Sequence, residues 1–415
     1  DGMPCADGLH HDSASLPIML AWRLWKENAL GDFDPWSLVK RAALYLVQRG
    51  PATQEDRWGG SAGYSPSTLA ATIAALICAA ELAESRGKFD AADFLRDYAD
   101  FLETHLEAWT VTTNGNLIPE IQQHYIRLCP ADMTSGQSDE DPNSGYISVG
   151  DEFSSVALCA TNEAVDVGFL DLVRYGLRRP EDPIIVSSLQ VTDTLLRVTA
   201  EAGPFWRRHT GDRQGATSHF GPLEGGAWPL LTAERGLYEV AAGRAPRAHL
   251  HALEQLASGA MLPERVWDGE DRPYLGLALG QPMGDSQVHL SAHAEYLKLL
   301  RSIADGRLFE QVPQVAERYQ GGRGRKSLEI WQQTRQLTKL QRGRVLRVLA
   351  PYSFRLRWTL DDWAHDQDTN CTETGLGMSF VDLQLGRFQK GSLRFTFFWP
   401  DRGGWEGKDF SVEVL

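Results

Sequence analysis

What the sequence lacks narrows it first. Five cysteines are spread over 415 residues, at Cys5, Cys78, Cys129, Cys159 and Cys371. None forms a CxxC pair, so neither a zinc-ligand spacing nor a disulfide framework is present. Free thiols are expected, with Cys78 inside an apolar helix. No stretch approaches about 18 uninterrupted apolar residues, so no membrane span is expected. A basic, apolar leader is not visible either. Positive charge is in short supply: 41 Lys and Arg face 55 Asp and Glu, a net charge of −14. That balance argues against nucleic acid or an anionic membrane as partner. An initiator Met is missing too, because the chain opens at Asp1 in a turn-like Asp-Gly-Met-Pro. Such a start reads as cut, from a processed precursor or with upstream sequence on another chain. Nothing in these features fixes a cellular compartment.

What is abundant is tryptophan, with 13 Trp beside 11 Tyr and 16 Phe. Flat aromatic faces suit sugar rings, although many of these rings are expected in the core. From residue 15 to about 318 the apolar residues recur at helical spacing. The spacing predicts helices over Ser15–Asn28, Pro35–Arg49, Ser67–Arg86, Ala91–Trp109, Glu163–Tyr175, Pro183–Thr199, Ala233–Ala242, Ala248–Ser258 and Gln287–Ile303. Pro66 suits the first turn of one of them, and the hydroxyls of Ser65, Ser67 and Thr68 can cap it. Long loops rich in Gly, Pro and Trp separate alternate helices, at 110–160, 200–231 and 259–286. Loops of that length in a compact domain are usually functional. Helix pairs with decorated loops imply an (α/α) toroid with its site at one end.

After about residue 335 the period changes to 2. Strands are expected over Arg344–Leu349, Ser353–Leu360, Met378–Leu385, Leu393–Trp399 and Phe410–Leu415. The expected fold is therefore mainly α: an (α/α)6 toroid over 1–330, then a small β-sandwich over 331–415. Nine predicted helices fall short of the twelve of a closed ring. The toroid is thus expected to be incomplete at its N-terminus and completed by a second polypeptide, because an open ring leaves apolar faces uncovered. Asp361, Asp362, Asp366 and Asp368 share one turn of the β part. A solvated turn is the expected reading and a structural calcium the alternative. No other cofactor is implied.

Two loop motifs carry the chemistry. Leu262-Pro263-Glu264-Arg265-Val266-Trp267-Asp268-Gly269 and Asp56-Arg57-Trp58-Gly59-Gly60 each set tryptophan beside acidic residues between helices. The first keeps its carboxylate. The second has two glycines where a second carboxylate would complete an acid–base pair.

Five segments carry a family resemblance: Gly63–Thr68, Trp109–Gly115, Trp228–Gly236, Leu262–Asp268 and Ala292–Lys298. In order and spacing they resemble bacterial glucoamylases and glucodextranases, glycoside hydrolase family fifteen, from about residue 1 to 318. The resemblance implies an (α/α)6 barrel, usually preceded by a β-sandwich and the first barrel helices, which this chain lacks. It also implies inverting exo-hydrolysis of α-glucosidic bonds, a reaction that needs an acid and a base with room for water between them. By resemblance Glu264 is the general base, and the acid position falls on Gly59, followed by Gly60. Two further departures are Gly226, where an arginine is usual, and Ser291, where a tryptophan is usual.

Asp56, next to the vacant position, is the candidate substitute acid, ahead of Glu55. Trp58, Trp267, Trp228, Arg265 and Tyr64 are the candidate substrate contacts, with His11 and Asp12 near the barrel mouth. Glu234 and Arg235 read as an ion pair, and His293 as a hydrogen-bonded core histidine. His10-His11-Asp12 does not have metal-ligand spacing, and no metal site is expected. The expected partner is an oligosaccharide or polysaccharide. Three readings stay open: a glucan α-glucosidase or transglycosylase with an altered acid site, a non-catalytic oligosaccharide-binding barrel, and altered carbohydrate chemistry such as a lyase.

Overall fold

A computed structural model describes residues 10–132, 140–149, 158–212, 226–257, 259–283, 288–322, 326–386 and 391–415. Cys5 lies outside them. Cys78, Cys129, Cys159 and Cys371 are free thiols.

Ten α-helices are present among the described residues: α1 Asp12–Lys26, α2 Trp36–Arg49, α3 Pro66–Glu84, α4 Phe89–Thr110, α5 Asp171–Arg174, α6 Pro183–Leu195, α7 Pro229–Ala241, α8 Arg247–Leu256, α9 Leu290–Asp305 and α10 Pro313–Gln320. They pack in succession: α1 on α2 and α3, α3 on α4 and α5, α5 on α7, and α7 on α8 and α9. The helix α3 is rich in alanine and leucine, begins with Pro66 at its first position, and has no polar stripe. It is long and apolar enough to cross a bilayer, yet 94% of that stretch is buried inside the protein. A helix apolar all round belongs in the middle of a core.

Several boundaries differ from the sequence reading. The helix expected over Glu163–Tyr175 is two 3-10 turns, Thr161–Glu163 and Gly168–Leu170, followed by the single turn of α5. Asp166 is the cause: its carboxylate accepts from the Gly168 N–H at 2.9 Å and from Trp58 Nε1 at 2.9 Å. A side chain bonded to local backbone in this way competes with helix. The helix α6 stops at Leu195, because Val198 and Thr199 enter a hairpin pairing Arg197–Ala200 with Gly203–Trp206. The short α10 escaped the periodicity test by its length. Ser65 does not cap α3; its Oγ pairs with Ser67 Oγ at 3.1 Å.

All five expected strands form, at Val345–Ala350, Arg355–Thr359, Ser379–Gln384, Gly391–Trp399 and Phe410–Val414. Leu328–Trp331 was not foreseen and starts the sheet region three residues before position 331. One sheet orders its strands Thr372–Glu373, Ser379–Gln384, Val345–Ala350, Leu328–Trp331, the last pair parallel. The other centres on Gly391–Trp399 between Arg355–Thr359 and Phe410–Val414. The period of 2 puts alternate residues of the first sheet into different cores. Leu346, Val348, Val381 and Leu383 join the core between the sheets, with Trp331, Phe395 and Phe397. Leu328, Ile330 and Leu349 face the helical core, as does Phe380, which stacks on Phe94 of α4. In the aspartate turn, Asp362 pairs with Arg394 at 2.6 Å, Asp368 and Asp366 with Arg357 at 2.8 and 3.2 Å, and Asp361 with His365 at 2.7 Å.

Candidate active site

The loop between α2 and α3 is closed at its neck, where Thr53 and Gly63 exchange backbone hydrogen bonds of 2.9 Å. Gly63 is required there: with φ +158°, a Cβ would meet the Cys129 carbonyl oxygen at 2.0 Å. Inside the loop Asp56 is the anchor. Arg127 donates to it twice, Nε to Oδ2 at 2.6 Å and Nη2 to Oδ1 at 3.1 Å, and the Trp58 N–H donates to Oδ1 at 2.9 Å. Arg127 Nη2 also reaches the Gly59 carbonyl at 3.3 Å. Asp56 is 1% exposed. A carboxylate held by two guanidinium donors and a backbone N–H is a structural post, which counts against its use as the substitute acid. Glu55 is taken by His10 at 2.9 Å.

Trp58 stands half-buried, its indole Nε1 tied to Asp166. Its ring meets that of Trp228 edge-on at 5.9 Å, and the Arg208 guanidinium lies 5.5 Å from one ring and 5.2 Å from the other. Arg57 packs 4.8 Å over Trp58, donates to Glu234 at 2.6 Å, and lies 4.0 Å from Asp171. Gly59 and Gly60 follow with φ of +80° and +87°, and a Cβ on either would meet nothing within 4 Å. At the position that resemblance gives to the acid, an added Cβ therefore has free space among the described residues.

The Glu264 segment comes close to Trp228 through its backbone. Val266 exchanges backbone hydrogen bonds with Ala227 at 2.8 and 3.0 Å, and the Trp228 N–H donates to the Trp206 carbonyl at 2.8 Å. This short ladder sets the Glu264 segment beside Trp228. Its start is tied to α9: the Leu262 N–H donates to His293 Nε2 at 3.1 Å, the His289 N–H to the Leu262 carbonyl at 3.0 Å, and His293 Nδ1 pairs with the His289 carbonyl at 2.9 Å. Glu264 keeps 30% of its side chain exposed, 3.7 Å from Arg265 Nε. A Cβ on Gly226 would meet the Val266 carbonyl at 2.6 Å and the Met283 sulfur at 2.7 Å. This packing leaves no room there for the arginine usual in the family.

Burial pushes the Asp171 carboxyl up to about 7 despite Arg174 and Arg57, with Glu234 and Asp12 adding to the rise. Burial also raises Asp12 and Asp166, opposed in both by Arg57. It lowers His11 to about 4, so His11 is a neutral ring, packed edge-on against Tyr45 at 6.0 Å. Burial works against the Arg57 charge, but Glu234 and Asp171 outweigh it and keep the guanidinium ionised.

Trp58 and Trp228 thus meet, with Asp12 close enough to feel the Arg57 charge and the Glu264 segment joined by backbone next to Trp228, whereas other sequence candidates sit elsewhere. Trp267 is 2% exposed, donates to the Glu270 carbonyl at 2.8 Å, and carries Arg272 5.3 Å over its ring, so it is core rather than sugar wall. Tyr64 is also buried, stacked on Trp109 at 4.6 Å with its hydroxyl on Glu140 at 3.1 Å. His11 is 2% exposed and so offers substrate no surface. Glu234 and Arg235 do not pair with each other: Glu234 holds Arg57, and Arg235 holds Asp193 at 2.9 Å and Glu239 at 2.5 Å. His293 is hydrogen-bonded as expected but half-buried. Sequence reading missed Arg127, Asp166, Asp171 and Arg208. Nothing local marks them, since Trp58 and Asp166 are 108 residues apart and Arg127 and Asp56 are 71 apart. Among the described residues no group of three or more His, Cys, Asp or Glu could hold a metal ion.

The family model of glycosyl hydrolases family 15 matches residues 1–319. The chain belongs to this family. A glucoamylase of Clostridium sp. (strain G0005) is 34% identical over 325 residues, covering 77% of this chain and 42% of that protein. The crystal structure of a bacterial glucoamylase complexed with acarbose superposes with a TM-score of 0.66 at 33% identity, over 77% of this chain and 44% of that one. The Hormoconis resinae glucoamylase, 10% identical with a TM-score of 0.51 over 99% of this chain and 76% of that one, shares the fold alone. The helical part therefore has the (α/α)6-barrel fold of family 15, and the strand-rich region follows it. The chain spans less than half the length of the two bacterial relatives it matches.

Proposed function

We propose that this chain carries a glucoamylase-like α-glucoside site in which Glu264 activates water and a glycine, Gly59, stands at the proton donor's position. The observation that carries the reading is the meeting of two distant loops. The Trp58 ring meets Trp228, and Val266, two residues after Glu264, pairs with Ala227 beside it, so both motif-bearing loops converge on Trp228. An inverting site needs an acid and a base brought together in this way. Buried polar atoms in this region lack partners among the described residues, Trp228 Nε1 and Asp12 Oδ1 among them. Buried polar groups are normally satisfied, and sugar hydroxyls would satisfy both kinds. Without a proton donor, cleavage of an ordinary glucoside stalls as the alkoxide leaves, whereas a fluoride departs unaided. The reaction class is inverting exo-hydrolysis or transfer, favouring substrates with good leaving groups.

The test compares α-glucosyl fluoride with maltose in the unmutated protein and in Glu264→Gln. We expect fluoride hydrolysis that falls by about 10²–10⁴ in Glu264→Gln, the cost of losing a general base, with acarbose binding retained. Equal turnover by both proteins sinks the base assignment.

A second reading, a barrel that binds oligosaccharide without cleaving it, draws support from the backbone. Gly59 and Gly60 both adopt positive φ, which L side chains rarely do, so the loop conformation itself is fitted to glycine. Acarbose binding with no turnover of the fluoride would select it.

The ring is completed, in this proposal, by helices of a second polypeptide. Leu16 and Leu20 of α1 and Leu290 and Leu297 of α9 are exposed by 49, 59, 80 and 62%. Apolar helix faces of that kind ask for a cover. Native mass spectrometry checks this: a stoichiometric second chain is expected, and a lone monomer of 46.2 kDa with full saccharide affinity refutes it.

A further inference from the structure

Both ends of the Trp58 loop are held by one turn of the strand-rich region. The turn Gln332–Arg335 follows strand Leu328–Trp331 and closes with backbone hydrogen bonds of 3.1 and 2.9 Å. Gln332 Nε2 donates to the Gly50 carbonyl at 2.5 Å, and Thr334 Oγ1 to the same oxygen at 3.3 Å. Arg335 turns the other way. Its Nε and Nη2 grip Glu140 at 2.7 and 3.1 Å, while Nη1 donates to the Ile330 carbonyl at 2.7 Å. Glu140 in turn accepts from the Tyr64 hydroxyl at 3.1 Å and from Trp109 Nε1 at 2.8 Å. Gly50 opens the loop and Tyr64 ends it, and everything between them includes Arg57, Trp58, Gly59 and Gly60.

We propose that the turn Gln332–Arg335 is a clamp that fixes the shape of the Trp58 loop, with Arg335 a positioning residue acting through Glu140 and Tyr64. Stability alone is a weak reason for this arrangement. Arg335 is 2% exposed, and a buried ion pair gains little over an apolar pair of equal volume. What the forked pair supplies is direction, since two parallel bonds fix both position and angle. The Glu140 carboxylate passes that direction to Tyr64, whose ring is already stacked on Trp109. The strand region then sets the geometry of a loop that belongs to the helical part.

The experiment is amide hydrogen exchange on the full chain, which needs no ligand and so tests the clamp even if the α-glucoside reading fails. The amides of Thr53, Trp58, Gly59 and Gly63 are hydrogen-bonded within the loop and report on it. Arg335→Gln should speed their exchange about tenfold, the signature of a local opening, while α3 and strand Ser379–Gln384 keep their protection. Arg335→Lys, which keeps the charge without the fork, should fall between. The pair Gln332→Ala with Thr334→Ala frees the Gly50 end by removing only neutral bonds, and decides the matter if Arg335→Gln does not fold. Unchanged loop exchange, or a rise spread evenly over the chain, overturns the clamp. In proteins that bind acarbose, the same variants should weaken it in proportion to the loop's exchange.

Discussion

Installing a carboxyl at position 59 tests the vacancy directly, and the structure sets the cost. A Cβ on Gly59 meets nothing within 4 Å, so Gly59→Glu starts from an uncrowded position. The φ of +80° does carry a penalty, about 1–2 kcal/mol for an L residue in the left-handed region. Part of it is offset, by about 0.4–1 kcal/mol, because the unfolded chain loses glycine's freedom. The net loss of about 1 kcal/mol is small against the roughly 5–15 kcal/mol that keeps a protein folded. The variant should therefore stay native, and its activity can be read without correction for unfolding. If only the acid is missing, hydrolysis of maltose or isomaltose should rise by about 10²–10⁴, the usual worth of a positioned general acid. Turnover of α-glucosyl fluoride should barely change. The assay is glucose release from each substrate beside a urea unfolding curve, with Gly59→Ala as the control that carries the backbone cost without the carboxyl. A folded Gly59→Glu that gains nothing on maltose or isomaltose refutes the idea that one lost side chain explains the site.

Arg127→Met should destabilise by about 3–5 kcal/mol, because it strands the buried Asp56 charge, and adding Asp56→Asn should recover much of that loss in urea unfolding. If Arg127→Met costs under about 1 kcal/mol, the pair is not the post described. Acid should unfold the protein through its buried histidines. His11 and His209 are lowered from 6.5 to about 4, so their contribution is complete above pH 6.5 and lost as pH falls to about 4. For His11 this is about 3 kcal/mol, and His11→Phe should flatten that part of the stability profile. Asp171 runs the opposite way: raised from 3.8 to about 7, it adds stability at low pH that fades as pH rises from about 4 to 7. Asp171→Asn should abolish that fade, and an unchanged profile between pH 4 and 7 would refute the buried protonated carboxyl.

The strands were legible because the period of 2 survives in a sheet with two different cores: Leu346 and Val348 alternate with Arg347 and Leu349 whichever core each one meets. The helices were legible where they are long and one-sided, and were missed where a side chain diverted the backbone, as Asp166 does. The Glu264 motif could be read, but the role of each tryptophan could not. Trp58 and Trp267 have similar acidic and glycine neighbours, and only the fold leaves one half-buried and puts the other under Arg272. Ion pairs such as Arg57 with Glu234, 177 residues apart, leave no local trace at all.

The sheet of Leu328–Trp331, Val345–Ala350 and Ser379–Gln384 is a party wall, plastered on both sides. Such a wall cannot be taken down with either house. Cutting the chain after the barrel would leave Phe94 and its helix facing water and would strand Asp97, which receives both Lys326 at 2.8 Å and Arg347 at 3.1 Å. The strand-rich region is therefore no detachable appendage. Exchanging it for another binding domain would require rebuilding one flank of the barrel, and its sequence can drift freely only on the outer face of the far sheet.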